Sequence, residues 1–281
     1  MRTYAILFLL CLGGAKIWAQ TPQRVYIPTQ MFWSDLSFGD KLGGKFRYQI
    51  DYRYRRSADI GSLQNGNHGN LFKNPFQQVV RPWIHYQLND AVRLSLSPLG
   101  WWGTWYQNAG QTAFKPEFRI CPQVSLSNKL GMVQIQQRYR YEFRFFGEKD
   151  NQNVGGWDAF GGYTHFFSRN TGNTKGRFRY FVSATLPLKI NKEDKHFYLS
   201  VSNEFFLGVG KNTKNENLLD QNRTFASIGY KLTPDIRVEL GYLKQVAFRF
   251  NNTNRNNVES NNLYQAILNI ENVSTLFHKK T

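Results

Sequence analysis

The stretch Gly131–Phe146 reads GMVQIQQRYRYEFRFF and decides the fold that we predict for this chain. From Val133 to Phe145 the odd-numbered positions carry mainly apolar or aromatic side chains, and the even-numbered positions between them carry Gln, Arg and Glu. A period of two predicts a β-strand with one apolar face and one charged face. At about 3.3 Å per residue this strand would span roughly 50 Å, which exceeds the usual globular strand. Such a strand is typical of a transmembrane β-barrel.

The same alternation recurs along the chain, and the connections between the alternating segments differ in length. Short turns are predicted near Leu42, Asn89, Lys129, Lys192 and Thr233, with long polar loops between them. Outer-membrane barrels have short periplasmic turns and longer extracellular loops. We therefore predict an all-β fold, a single up-and-down antiparallel transmembrane β-barrel of about 10–12 strands, with 12 favoured because bacterial barrels usually have an even count.

Several segments bear on this strand count. Met31–Gly39 is predicted as the first strand, and a polar loop is predicted just before the strand Lys115–Ser127. Gly147–Lys175 is interpreted mainly as a partly structured loop. The additional strand that would make the count even is sought in Val25–Gln30 or in Gly156–Arg169.

The N-terminal residues 1–19 are predicted to form a secretory signal peptide. Arg2 supplies the positive charge, Ala5–Leu12 the short apolar core, and Ala19 the small residue before the cleavage site. An apolar core of this length is too short to cross about 30 Å of hydrocarbon as a helix. We predict a short leader at residues 20–30, the barrel at 31–271 and a C-terminal tail at 272–281. The predicted location is the outer membrane of a Gram-negative cell.

The composition argues against several classes of function. The net charge is +17 at pH 7, but many arginines alternate with aromatic residues inside strands instead of clustering on one patch, so we predict no nucleic-acid partner. Without the signal peptide Cys121 is the single cysteine, which excludes an intramolecular disulfide. The five histidines are scattered, so we predict no metal site and no cofactor.

Charged residues on the inward faces of the predicted strands fall at similar heights above the short turns. We interpret them as a lumen charge belt, and its candidate members are Asp51, Arg53, Glu117, Arg119, Arg138, Arg140, Glu142, Arg144, Arg177, Arg179, Glu204 and Arg223. In the interpretation that we favour, the arginines and carboxylates pair across neighbouring strands and plug the barrel. In the alternative, the arginine excess forms a narrow channel or a binding site for a small anionic solute.

Four aromatic residues follow one another closely at the end of a predicted strand. Trp101, Trp102, Trp105 and Tyr106 are predicted to form part of the aromatic girdle at a membrane interface.

Two other classes of function stay open. A lipid hydrolase would need a Ser–His pair at the lipid-facing rim. His85 and His196 are predicted to face inward, and His68 and His165 lie in predicted loops without an obvious partner, so we predict no enzymatic activity and no catalytic residues. An envelope assembly or adhesion component would use its loops to contact another protein. The predicted partners are therefore outer-membrane lipids and either an envelope protein or a small anionic solute.

Four segments of the chain carry a family resemblance. They are QRYRYEFRFF (Gln137–Phe146), RFRYFVSATLPL (Arg177–Leu188), YLSVSNEFFLGVG (Tyr198–Gly210) and DQNRTFASIGYKLTPDIRVELGYLKQ (Asp220–Gln245). In combination they resemble the Bacteroidetes outer-membrane proteins catalogued as domain of unknown function 2490, over most of the chain from about residue 30 to 270. The resemblance implies an outer-membrane β-barrel of unestablished activity, and it supplies no catalytic residues.

Overall fold

A computed structural model of the protein describes residues 25–58, 70–108, 111–146, 174–188, 196–210, 218–248 and 257–277. Within these ranges eleven strands close into one barrel. The strands are β1 (Val25–Gly43), β2 (Phe46–Ser57), β3 (Asn74–Gln87), β4 (Val92–Asn108), β5 (Gln111–Leu130), β6 (Val133–Phe146), β7 (Thr174–Pro187), β8 (Phe197–Val209), β9 (Leu219–Lys231), β10 (Ile236–Phe248) and β11 (Asn257–Ile270). A short 3-10 helix, Val273–Leu276, follows β11. None of the helical residues in the described ranges forms a helix long and apolar enough to span a membrane.

Each strand pairs with its neighbours in chain order, and β1 pairs with β11 to close the ring. All pairs are antiparallel except β1 with β11, which run parallel from Val25 opposite Asn257 to Phe38 opposite Ile270. Strands that alternate in direction leave the first and the last strand of an odd-numbered ring pointing the same way. The predicted all-β, up-and-down barrel of about 10–12 strands is confirmed; the described ring has eleven strands, and its parallel closure was not predicted.

Two strand boundaries differ from the prediction. Val25–Gln30 belongs to β1 and is not a separate strand, because its backbone pairs with β11. The loop predicted before Lys115 is wrong, because β4 and β5 stay paired out to Asn108 opposite Gln111. The predicted signal peptide and the interior of the Gly147–Lys175 segment lie outside the described residues.

Side chains alternate between the two faces of the wall, as the period of two predicts. On β6 the outward Tyr139 and Phe143 are 37% and 48% exposed, whereas Arg140 and Glu142 are buried inside. At one end of the barrel, which we call the turn side, short connections join the strands, for example at residues 131–132 between β5 and β6. Gly131 adopts φ +61° there, a left-handed conformation that favours glycine.

Candidate lumen site

Glu142 is the centre of a network of ion pairs inside the barrel. Its carboxylate is 0% exposed. Arg177 donates to Oε2 from Nε and Nη2 at 2.9 and 2.7 Å, and Arg179 donates to Oε1 from Nη1 at 2.6 Å. Arg119 approaches Oε2 with its Nη1 at 3.3 Å. The strand register explains the contact between Glu142 and Arg177, because Glu142 on β6 lies directly opposite Arg177 on β7.

Two further glutamates extend this network along the wall. Glu117 accepts hydrogen bonds from Arg119 at 2.6 and 3.0 Å and from Arg144 at 2.6 and 3.1 Å. Glu204 accepts from Arg179 at 2.7 Å and from Arg138 at 2.7 Å. We call the whole set the ion-pair plug, and its members are Glu117, Arg119, Arg138, Glu142, Arg144, Arg177, Arg179 and Glu204.

Four residues of the predicted belt lie outside the plug. Asp51 accepts hydrogen bonds from Arg81 at 2.6 Å and from the Trp83 indole at 3.0 Å. Arg81 is not a member of the predicted charge belt. Arg53 pairs with Asp35 at 3.1 Å. The other two, Arg140 and Arg223, donate to neutral amides. Arg140 reaches Gln123 Oε1 at 2.8 and 2.5 Å, and Arg223 reaches Gln245 Oε1 at 3.2 Å.

Aromatic rings inside the barrel lie beneath the guanidinium groups. The Arg119 guanidinium carbon is 3.9 Å from the centroid of the Trp102 ring, and that of Arg55 is 3.8 Å from Trp33. Cation–π contacts of this kind gain strength when they are desolvated. Phe206, which is fully buried, lies 4.3 Å from the Arg179 carbon. The interior therefore consists of stacked cations and rings as well as ion pairs.

The predicted aromatic girdle requires a correction. Trp102 faces inward, because β4 carries one extra residue against β5 between Ser97 and Gly100, and this β-bulge reverses the alternation. Trp101 and Trp105 share the outward register with Phe118 and Phe114, but all four pack into one buried cluster instead of lying exposed as a girdle. The side chain of Tyr106 lies outside the described part of the structure.

A cavity of about 790 Å³ occupies the turn-side half of the lumen. Its inner end is formed by residues such as Arg81, Arg140 and Arg179, and its outer end by residues close to the turns, such as Lys129 and Lys231. Glu117, Glu142 and Arg177 do not line it. These three members of the ion-pair plug therefore lie beyond the inner end of this cavity.

Groups that could act in catalysis or metal binding are few in the described ranges. His85 faces the lumen, and its Nδ1 lies 2.7 Å from Ser95 Oγ, so this Ser–His pair is away from the lipid-facing rim. His196 is exposed and lies immediately before β8, and His68, His165 and His278 fall outside the described residues. Cys121 is a buried free thiol. No group of three or more His, Cys, Asp or Glu suited to a metal occurs among the residues described.

The closed ring, its apolar outer face and the buried charged network inside it define a transmembrane β-barrel. The family whose profile matches residues 30–257 is described as "Protein of unknown function (DUF2490)", and the chain belongs to this family. The resemblance stated from the sequence is thereby confirmed. No curated protein matches the chain.

Two solved structures are similar to this chain at low identity. The NanC porin is 13% identical with a TM-score of 0.36, over 84% of this chain and 98% of that porin. An anion-selective porin from Comamonas acidovorans is 11% identical with a TM-score of 0.30, over 82% of this chain and 54% of that porin. Similarities of this size carry no argument about what this protein binds.

Proposed function

We propose that the protein resides in the outer membrane of a Gram-negative bacterium. The proposal is supported by the outer face of the barrel, where apolar side chains are exposed on strands all round the ring, among them Ile84, Leu96, Phe143, Val201, Ile228 and Leu240. A continuous apolar band outside a polar interior is what a lipid-embedded barrel requires. Fractionation of the cell envelope tests the location, and recovery of the protein in the soluble periplasmic fraction would contradict it.

We further propose that the barrel does not act as an open pore, because its own side chains close the lumen. One observation carries this proposal: Val79, Glu142, Phe206 and Leu263 face inward from β3, β6, β8 and β11, spread round the ring beyond the cavity, and each is 0% exposed. Residues that lined a water-filled channel would be accessible to water. Inward-facing side chains, charged and apolar, are instead packed against each other.

Osmotic swelling of liposomes that contain the refolded protein tests the closed lumen. Arg179 and Glu204 line the cavity and bind each other, and Arg179 also binds Glu142 in the plug. The double variant Arg179→Ala/Glu204→Ala removes this junction without changing the net charge. We expect no swelling in arabinose with the natural protein and measurable swelling with the double variant. Equal, fast swelling with both proteins would favour the alternative, a narrow channel for small solutes.

We also propose that the protein is not an enzyme and that its outward partners are membrane lipids. In the described residues, the Ser–His pair formed by Ser95 and His85 lies in the lumen, where an acyl chain in the surrounding bilayer does not reach it. Lipid turnover by the refolded protein in mixed micelles is the corresponding assay, and release of fatty acid that depends on Ser95 would overturn this proposal. An assembly role is tested by co-purification of a stoichiometric envelope protein.

A further inference from the structure

We propose that the inner end of the turn-side cavity is a binding site for a small oxyanion, a carboxylate or inorganic phosphate, formed by Arg81, His85 and Arg140. The proposal goes beyond the closed lumen and does not depend on whether the barrel conducts, because the cavity extends to the turn side in either case. All three side chains line the cavity and are at most 5% exposed.

Each of these residues has a polar atom that no other described residue satisfies. Nη1 of Arg81, Nη1 of Arg140 and Nε2 of His85 are buried and have no hydrogen-bond partner in the described part of the structure. Buried polar groups are normally satisfied, because a buried group without a partner is destabilising. Three such groups around one cavity indicate a ligand that accepts hydrogen bonds.

The strand register brings two of the three into one row across the wall. His85, Ser95, Gln123 and Arg140 lie opposite one another on β3, β4, β5 and β6. Along this row His85 Nδ1 contacts Ser95, and Arg140 binds Gln123. These contacts fix the ring and the guanidinium, and they leave His85 Nε2 and Arg140 Nη1 unused.

Trp83 holds the third group beside this row. The guanidinium carbons of Arg81 and Arg140 each lie 4.7 Å from the centroid of the Trp83 ring, so they are at most twice that distance apart. The Trp83 and His85 rings are themselves stacked, with centroids 6.0 Å apart. All three groups are thus gathered round one indole ring, and His85 Nε2 is a donor in the tautomer whose Nδ1 accepts the Ser95 hydroxyl.

Charge balance indicates an anion and not a neutral acceptor. Arg81 has a carboxylate partner in Asp51, but Arg140 binds only the neutral amide of Gln123 and has no carboxylate partner among the described residues. A buried charge without a counter-charge is costly. A bound oxyanion would supply the missing negative charge, and its oxygens match the planar fork of donors that a guanidinium presents.

The entrance of the cavity is also mainly positively charged. The outer part of the cavity is lined by Arg47, Arg93, Lys129, Lys231 and Arg237, with Glu239 and Glu271 as the acidic residues near the turns. A cleft lined mainly by positive charge concentrates anions and speeds their entry. At about 790 Å³ the cavity is large enough for a small organic acid as well as for phosphate.

Isothermal titration calorimetry on the refolded full chain in an uncharged detergent tests the site, with sodium phosphate and sodium citrate as separate probes at constant ionic strength. We expect saturable binding of at least one of the two anions, and a dissociation constant raised at least about tenfold by Arg140→Gln. Comparison of the two titrations distinguishes a site for phosphate from a site for carboxylates. Absence of saturable binding of both anions to the natural protein would overturn the proposal.

A second variant keeps the test decisive if Arg140→Gln does not fold. Gln123→Glu places a carboxylate where Arg140 already donates at 2.8 and 2.5 Å, so it neutralises that guanidinium within the chain. We expect a folded barrel that has lost anion binding. The matched control is Gln136→Glu, which adds the same charge to the same cavity, four residues nearer the turn than Arg140. Equal loss of binding in both Glu variants would mean that any added negative charge in the cavity weakens anion binding. That result would overturn the assignment of the site to Arg81, His85 and Arg140.

Discussion

Glu142→Gln is the substitution that tests most directly whether the ion-pair plug stabilises the barrel. The change keeps the size of the side chain and removes its charge. Glu142 is fully buried and binds three arginines, so the variant leaves positive charge in the interior without its counter-charge. Removal of one partner of a buried ion pair typically costs about 3–5 kcal/mol.

The cost is not three times that value, because two of the arginines keep another carboxylate. Arg119 retains Glu117 at 2.6 Å and Arg179 retains Glu204 at 2.7 Å. Arg177 retains only the partly exposed Asp220 at 3.4 Å. The uncompensated charge is therefore concentrated on one arginine, and we expect the free energy of unfolding to fall by about 3–5 kcal/mol.

Urea unfolding of the refolded protein in lipid vesicles, followed by tryptophan fluorescence, measures this loss. Glu239→Gln is the matched control, because Glu239 also faces the lumen but accepts hydrogen bonds from the neutral hydroxyls of Tyr198 at 2.9 Å and Ser227 at 3.0 Å. We expect the control to lose about 1 kcal/mol. A loss of less than about 1 kcal/mol for Glu142→Gln, or equal losses in the two variants, would show that the ion pairs of Glu142 do not stabilise the barrel.

Three further predictions concern packing, and the same unfolding assay checks each of them. Phe206→Ala should lower stability by about 3–5 kcal/mol, because the fully buried ring underlies several guanidinium groups; a loss below about 1 kcal/mol would contradict its place in the core. Gly229→Ala should cost about 1–3 kcal/mol, because its Cβ would lie 2.2 Å from Cζ of Tyr198; an unchanged midpoint would mean that this ring moves freely. Gly131→Ala should cost about 1 kcal/mol through its φ of +61° alone, since no atom crowds the site, and a stabilised variant would rule out that strain.

Much of the barrel can be predicted from the sequence because lipid and lumen impose opposite chemistry on alternate residues. Tyr139, Arg140 and Glu142 show this on β6, where the parity read from the sequence matches the exposed and buried faces of the structure. The placement of the plug follows from the same alternation together with distance from the turns. Arg81 was left out of the predicted belt, although its parity on β3 places it on the lumen side, opposite Asp51.

What the sequence alone does not reveal depends on the pairing of distant strands. The bulge in β4 arises from the match of Ser97 with Cys121 and of Gly100 with Arg119, and it turns Trp102 inward. Neither strand shows this extra residue by itself. The odd strand number and the parallel pairing of β1 with β11 likewise emerge only when the ring closes. The row that joins His85 to Arg140 crosses four strands, so it too is a property of the register.

Whether the lumen is closed can be measured as the current through a planar bilayer that contains the refolded natural protein. We expect no steady single-channel openings, because inward side chains from all round the ring, Glu142 among them, are buried against one another. The Arg179→Ala/Glu204→Ala variant serves as the positive control and should open. Steady, long-lived openings of the natural protein at low voltage would show that the lumen is open.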